Sequence, residues 1–393
     1  MTISELSAAA RRLCAWALHS GRPLALWRTA GQAPHLLVSR SLEAAYTGLP
    51  PALEPDAPAG FAFFPFRDSD HNPVLFLPAD AVFDLTQPAQ PLRLLPELAA
   101  ELAAAPAAPA TPLPWHQSTQ PVPGTATQAE FEALVTAGVA AIQSGAVQKV
   151  VASRAARWPL PADFDALAAF DELSRQHPSA FVSLVSVPGA GTWLGATPEV
   201  LAEVTADGRF CTMALAGTQP LTAEVTPLTA TWRQKEIEEQ ALVARYIVSA
   251  FKQLRLREYH ETGPRTAVAG QLLHLRTDFE VNLREVPFPN LGTDMLRLLH
   301  PTSAVGGMPK VPALEFLRRH EGYDRAYYSG FLGPVNVEAP GVSRLFVNLR
   351  CLQLRPTEAV LYAGAGLTTD SDPSREWRET ELKMNTVGSV LSQ

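Results

Sequence analysis

Cysteine is scarce in this 393-residue chain. Cys14, Cys211 and Cys351 lie far apart, with no CxxC spacing and no histidines at ligand spacing. That excludes a disulfide framework and a Cys/His zinc site, and it fits a reducing compartment. An excess of positive charge is also missing, since charged residues make up 18 % of the chain and the formal net charge is −7. Nucleic acid needs a basic footprint, so it is not expected as a partner. Long apolar runs are absent too. No stretch of about 18 apolar residues occurs, and Glu5, Arg11 and Arg12 interrupt the N-terminal one, so neither a membrane span nor an export signal is expected and the cytoplasm is the expected location. Because the overall field weakly repels anions, an anionic substrate must be drawn in by a few focused cations or a metal.

What is present is apolar. Hydrophobic residues reach 47 %, enough for one large domain or two ordinary ones. Short apolar segments bounded by turn residues, LALWRT, HLLVS, GFAFFPF and PVLFLPADAVFDL, predict a mainly β part over residues 1–103. Ala and Pro then dominate, and 104–124 is expected to be a connection running over the surface. Beyond it, Thr127 and Glu130 form a capping-box pair ahead of a helix whose apolar residues run from Phe131 to Ile142. Strands are expected at VQKVVASR, FVSLVSV, PEVLAEVT, SRLFVNLRCLQL and AVLYAGAG, and helices at KEIEEQALVARYIVSAF and SREWRETELKMNTVGSVL. This is an α+β (mixed α/β) pattern with no regular βαβ repeat.

Several side chains are placed for chemistry, each beside a plainer explanation. In SDPSREWRETELK, Asp372 suits an N-cap and Pro373 a first turn. Glu376, Glu379 and Lys383 then share one helix face, as hard oxygen ligands for Mg²⁺ or as a solvated charged face. Glu236, Glu238 and Glu239 open another helix, where the dipole alone accounts for acids. Glu239 joins a metal site only if this helix end meets the C-terminal helix. Lys149 in the QKVVASR strand is either an edge charge or a desolvated lysine able to act as general base. Arg350 in FVNLRCLQL is read as a buried guanidinium facing Phe346, Leu352 and Leu354, holding a substrate carboxylate or pairing internally with an acid. Glycine-rich turns at 215–218, 304–307 and 362–366 either let a backbone approach a ligand or serve turn geometry alone. None is a P-loop.

The order and wording of ten strings, QKVVASR, LGATPE, ALAGT, KEIEEQ, LLHLRTDFE, LHPTSAVGG, EGYDRAYYSGFLG, VNLRCLQL, YAGAGLTTDSDP and EWRETELK, closely resemble the chorismate-binding enzyme family. The resemblance spans roughly residues 128–393 and makes 125–393 the catalytic region. It implies large, mostly antiparallel β-sheets flanked by helices. It also implies chorismate as substrate, with Lys149 as the base that activates water and Glu199 as the acid that protonates the departing hydroxyl. Those roles need opposite shifts, lysine down and glutamate up. By the same resemblance Glu239, Glu376 and Glu379 hold Mg²⁺. Gly217, Thr218, Arg350, Gly364, Gly366 and Lys383 hold substrate carboxylates. His274 resembles a histidine lining the family's site, with a packed, hydrogen-bonded histidine as the alternative.

Within the family, Lys149 favours water over ammonia as nucleophile, and ALAGT stands where a PIKGT-type motif accompanies a covalent lysine. Ala304 stands where salicylate synthases tend to carry threonine. The expected activity is therefore the isomerisation of chorismate to isochorismate. A salicylate synthase and a non-catalytic chorismate-binding relative are the alternatives. No glutamine amidotransferase subunit is implied, and a monomer or homodimer is expected. The reaction serves menaquinone and siderophore routes alike. Two positions depart from the family pattern: GATPE replaces GASPE, and Gln240 replaces a common histidine.

Overall fold

The computed structural model describes residues 3–42, 51–67, 69, 71–106 and 112–391. Residues 107–111 of the Ala/Pro-rich connection lie outside the described residues. In chain order the first elements are α1 (Ile3–His19), β1 (Leu24–Arg28), β2 (Pro34–Val38), β3 (Gly60–Phe64), β4 (Leu75–Pro78), β5 (Ala81–Asp84), β6 (Arg93–Leu94) and α2 (Pro96–Ala104). Next come α3 (Gln128–Gln143), β7 (Lys149–Pro159), α4 (Ala166–Gln176), β8 (Phe181–Val187), β9 (Gly191–Thr197), β10 (Val200–Val204), β11 (Arg209–Pro220) and α5 (Gln234–Gln253). The last are β12 (His260–Ala269), β13 (Leu272–Asn282), α6 (Leu291–Leu299), β14 (Gly307–Met308), α7 (Lys310–His320), β15 (Phe331–Val335), β16 (Ser343–Val347), β17 (Cys351–Leu354), β18 (Glu358–Leu367) and α8 (Pro373–Gly388).

The strands form two sheets, with orders β14-β7-β18-β17-β9-β8-β1-β2-β5-β6 and β12-β13-β11-β10-β16-β15-β3-β4. Among the described residues every pairing between strands is antiparallel, as the resemblance implied. The N-terminal strands are divided between the sheets, so they build the same two layers as the rest. Residues 1–103 also carry α1 and most of α2, which the short-strand pattern did not announce.

Alternation along the strands sorts side chains into three apolar layers. Along β1, Leu24 and Leu26 pack on the helical side with Trp16 and Leu18 of α1, whereas Ala25 and Trp27 face the second sheet. The layer between the sheets is aromatic: Phe63 stacks on Tyr327 at 4.0 Å and Trp193 on Tyr362 at 5.4 Å. The outer face of the second sheet packs against α5 and α6 through Phe251, Ile247, Phe279 and Leu296. Each such large side chain, once buried, stabilises by roughly 1.5–3 kcal/mol.

Local chemistry explains the helices that frame the site. Thr127 and Glu130 cap α3 reciprocally, the carboxylate accepting from Thr127 N–H at 2.8 Å. Asp372 caps α8, accepting from Arg375 N–H at 2.9 Å, with Pro373 in the first turn. Two expectations change. SRLFVNLRCLQL is two strands, β16 in one sheet and β17 in the other, joined through Arg350 at φ 48°. The connection is pinned to the body, because Arg355 donates to the carbonyls of Ser118 at 3.3 Å and Gln120 at 2.9 Å. Among the described residues, no helix is long and apolar enough to cross a membrane.

Candidate active site

A cavity opens where β7 and β18 of one sheet meet β11 and β13 of the other, beneath α5 and α8. Glu199, Gly217, Thr218, Glu239, His274, Ala304, Arg350, Gly364, Gly366 and Lys383 all line it. Lys149 is not on the wall. Glu376 and Glu379 line an adjoining cleft that shares Thr218 with the cavity.

Glu199 sits in the short turn between β9 and β10, buried, its carbonyl accepting from Val347 N–H at 3.0 Å. Burial pushes its carboxyl up to about 7, against the pull of Lys149, Lys383 and Arg350. It therefore keeps a proton in a substantial fraction of molecules near neutral pH, as a general acid must.

Lys149 opens β7 between β14 and β18, so it is no edge charge, and its side chain is completely buried. Its Nζ lies 3.2 Å from Glu239 Oε1 and has no hydrogen-bond partner. Gly366 packs against this pair, with Glu239 reaching the cavity wall and Lys149 lying behind it. A Cβ there would come within 2.0 Å of Glu239 Oε1 and 3.2 Å of Lys149 Cε, so any side chain at this position requires the Glu239 carboxylate to move.

Arg350 is not within a strand, as the apolar pattern suggested. It occupies the link between the sheets in left-handed backbone geometry, which turns its guanidinium into the cavity. Among the described residues no acid pairs with it. Its Nη1 donates to Thr386 Oγ1 at 3.2 Å, and its Nη2 lies 3.3 Å from His274 Nε2. Burial lowers its pKa to about 10, still well above neutral, so it stays cationic and open to an anion. His274 is both packed and cavity-lining. Its Nδ1 lies 2.6 Å from the Gly217 carbonyl, and burial together with Arg350 lowers it to about 3, leaving a neutral ring. Gly217 reaches that position at φ 67°. Lys383 donates to the Gly364 carbonyl at 2.8 Å and to Glu379 at 2.6 Å.

The three acids expected to hold metal are drawn toward one region by α5 and α8, the meeting that the sequence left conditional. Among the described residues, however, no group of three or more His, Cys, Asp or Glu side chains is arranged to hold an ion as it stands. Lysines sit on the carboxylates instead: Lys149 on Glu239, Lys235 on Glu376 and Lys383 on Glu379. Burial, then Glu379, pushes the Glu376 carboxyl up to about 7. Burial opposes charge on Glu379, but Lys383 and Lys235 hold it below the usual range. Glu376 Oε2 is buried without a partner. Oxygen-only donors, one of them orphaned, are a set that suits Mg²⁺.

Some contributors carried no separate sequence signal. Tyr328 and Tyr362 line the cavity, stacked at 5.4 Å, and Tyr328 lay unremarked inside EGYDRAYYSGFLG. Behind the wall, a fully buried Arg325–Glu321 pair donates to the Val305 carbonyl at 2.8 Å and the Val151 carbonyl at 2.7 Å. Val151 and Val305 both face the cavity. Gln240 donates to the Ala214 carbonyl at 3.2 Å and Thr277 Oγ1 at 3.0 Å, tying α5 to the second sheet beside Glu239.

Comparison with known proteins gives the same direction. The family described as chorismate binding enzyme matches residues 85–392. The salicylate biosynthesis isochorismate synthase of Pseudomonas aeruginosa is 32 % identical over 67 % of this chain and 55 % of its own length. Isochorismate synthase EntC of Escherichia coli is 32 % identical over 67 % of each chain. The solved structure of MenF, the menaquinone-specific isochorismate synthase of Escherichia coli, superposes with a TM-score of 0.75. That match covers 96 % of this chain and 91 % of MenF at 21 % identity, a likeness of fold. The chain thus spans little more than half of the first relative and two thirds of the second.

Proposed function

Since the chain belongs to the chorismate-binding enzyme family, we propose that it converts chorismate to isochorismate, with Mg²⁺ as cofactor. The observation that carries this reading is the buried Glu199 carboxyl, raised to about 7, on a cavity into which the cations Arg350 and Lys383 also face. A small dianion is the ligand such a wall recognises. Two relatives named isochorismate synthase, each 32 % identical, support the same activity.

In this reading Lys149 takes a proton from water as its oxygen bonds to C2 of the ring. The double bond shifts, and the C4 oxygen leaves as Glu199 protonates it. One water enters and one departs, so the net change is an isomerisation. Arg350, with neutral His274 against its Nη2, holds one substrate carboxylate, and Lys383 with the backbone at Gly217 and Gly364 steadies the other. Glu239, Glu376 and Glu379 would hold the Mg²⁺, whose charge draws the ring carboxylate into place. Ala304 presents a small side chain to the wall. The buried free thiols Cys14 and Cys351 suit a reducing cytoplasm. Both menaquinone and siderophore routes can draw on the product.

Incubating the purified protein with chorismate and Mg²⁺ tests the reading. Isochorismate without pyruvate is the expected product. Salicylate with pyruvate would replace this reading by a salicylate synthase, and unchanged chorismate by a non-catalytic binder.

A further inference from the structure

Lys235, the second residue of α5, reaches across to α8 and pairs with Glu376. Its side chain is only 18 % exposed. This ammonium therefore sits on one of the three carboxylates that are proposed to hold the metal, while Lys149 and Lys383 face the other two. We propose that Lys235 is a built-in counter-ion that occupies the divalent-cation position and leaves it when the metal enters. This rests on the metal reading given above.

Three features of the geometry support an exchange. Each of the three carboxylates already faces a lysine, so a divalent cation arriving without displacing one would crowd like charges in a buried place. Of these lysines, Lys149 is sealed inside β7 and Lys383 is also tied to the Gly364 carbonyl. Lys235 has Glu376 as its hydrogen-bond partner among the described residues and borders an open cleft, into which a flexible four-carbon stem can swing. Lastly, Lys235 engages only Oε1 of Glu376. Oε2 remains buried and unpartnered, a deficit that a cation bound between the carboxylates would remove.

The exchange has two consequences. Without metal, Lys235 keeps α5 and α8 together by neutralising acids that would otherwise repel. With metal, its displacement subtracts from the binding free energy, so the intact protein binds Mg²⁺ more weakly than its carboxylates alone would.

Calorimetric titration of MgCl₂ into the full-length protein and its Lys235→Met variant, at mildly alkaline pH, measures the second consequence. The variant is expected to bind Mg²⁺ about tenfold more tightly, the scale of one charge-assisted contact released. In parallel, acetylation of lysines followed by mass spectrometry reads the displacement in the unmodified protein, where Lys235 labelling is expected to rise several-fold on adding Mg²⁺. Equal or weaker binding by the variant, or Lys235 labelling that Mg²⁺ leaves unchanged, overturns the exchange. Failure of both proteins to bind Mg²⁺ overturns the metal reading itself. If Lys235→Met does not fold, the labelling of the unmodified protein decides alone.

Discussion

Lys149 Nζ and Glu239 Oε1 face each other at 3.2 Å beside Gly366, the lysine completely buried and the glutamate on the cavity wall. The proposed base and one proposed metal ligand are thus a single pair. Lys149→Ala removes the base and is expected to lower kcat by about 10²–10⁴-fold with a smaller change in KM. Steady-state kinetics on chorismate checks this, and unchanged turnover would remove Lys149 from the mechanism.

Gly366→Ala tests the close fit of the wall against that pair. The added Cβ would meet Glu239 Oε1 at 2.0 Å, so the carboxylate must move. A displacement of that size is expected to cost about 10²-fold in kcat/KM while circular dichroism stays native. Near-normal kinetics would show that Glu239 need not stand where it does.

For Glu199 the pH dependence carries a sign. Its folded pKa of about 7 lies above the ordinary 4.5, so between these values the folded state binds more protons and its stabilising contribution is lost as pH rises through about 7. Glu199→Gln removes that dependence. Relative to the parent, the variant's Tm is expected to rise between mildly acidic and mildly alkaline pH, while its kcat falls by about 10²-fold or more. The kcat of the parent should decline as Glu199 loses its proton. A Tm difference independent of pH would mean that Glu199 is not held protonated.

The Arg325–Glu321 pair supports the cavity from behind. Glu321→Ala leaves a fully buried guanidinium without its carboxylate, and chemical denaturation is expected to show a loss of about 3–5 kcal/mol. A loss under about 1 kcal/mol would show that the pair's geometry is not what fixes Val151 and Val305.

Much of this site was legible because helix spacing is a short-range rule. Glu376, Glu379 and Lys383 share a face through their spacing alone, and the caps at Thr127 and Asp372 are local chemistry. Lys149 could be singled out in its strand, although only the sheet order shows β18 and β14 on either side. The ten family strings brought Glu199 and His274 to notice, residues that spacing alone does not distinguish. Arg350 was misplaced for a physical reason. A run apolar on both faces reads as one buried strand, whereas a single residue at φ 48° hands the chain from one sheet to the other without any glycine to mark it. Lys235 was overlooked because lysine in a first helical turn reads as a surface charge, and its partner lies 141 residues away.

The most direct test of the central claim is the reaction of chorismate in ¹⁸O-enriched water with Mg²⁺, the product analysed by mass spectrometry and NMR. Water attack at C2 with loss of the C4 hydroxyl predicts isochorismate carrying one solvent-derived oxygen at C2. Isochorismate without the label, or salicylate and pyruvate in its place, would contradict the account.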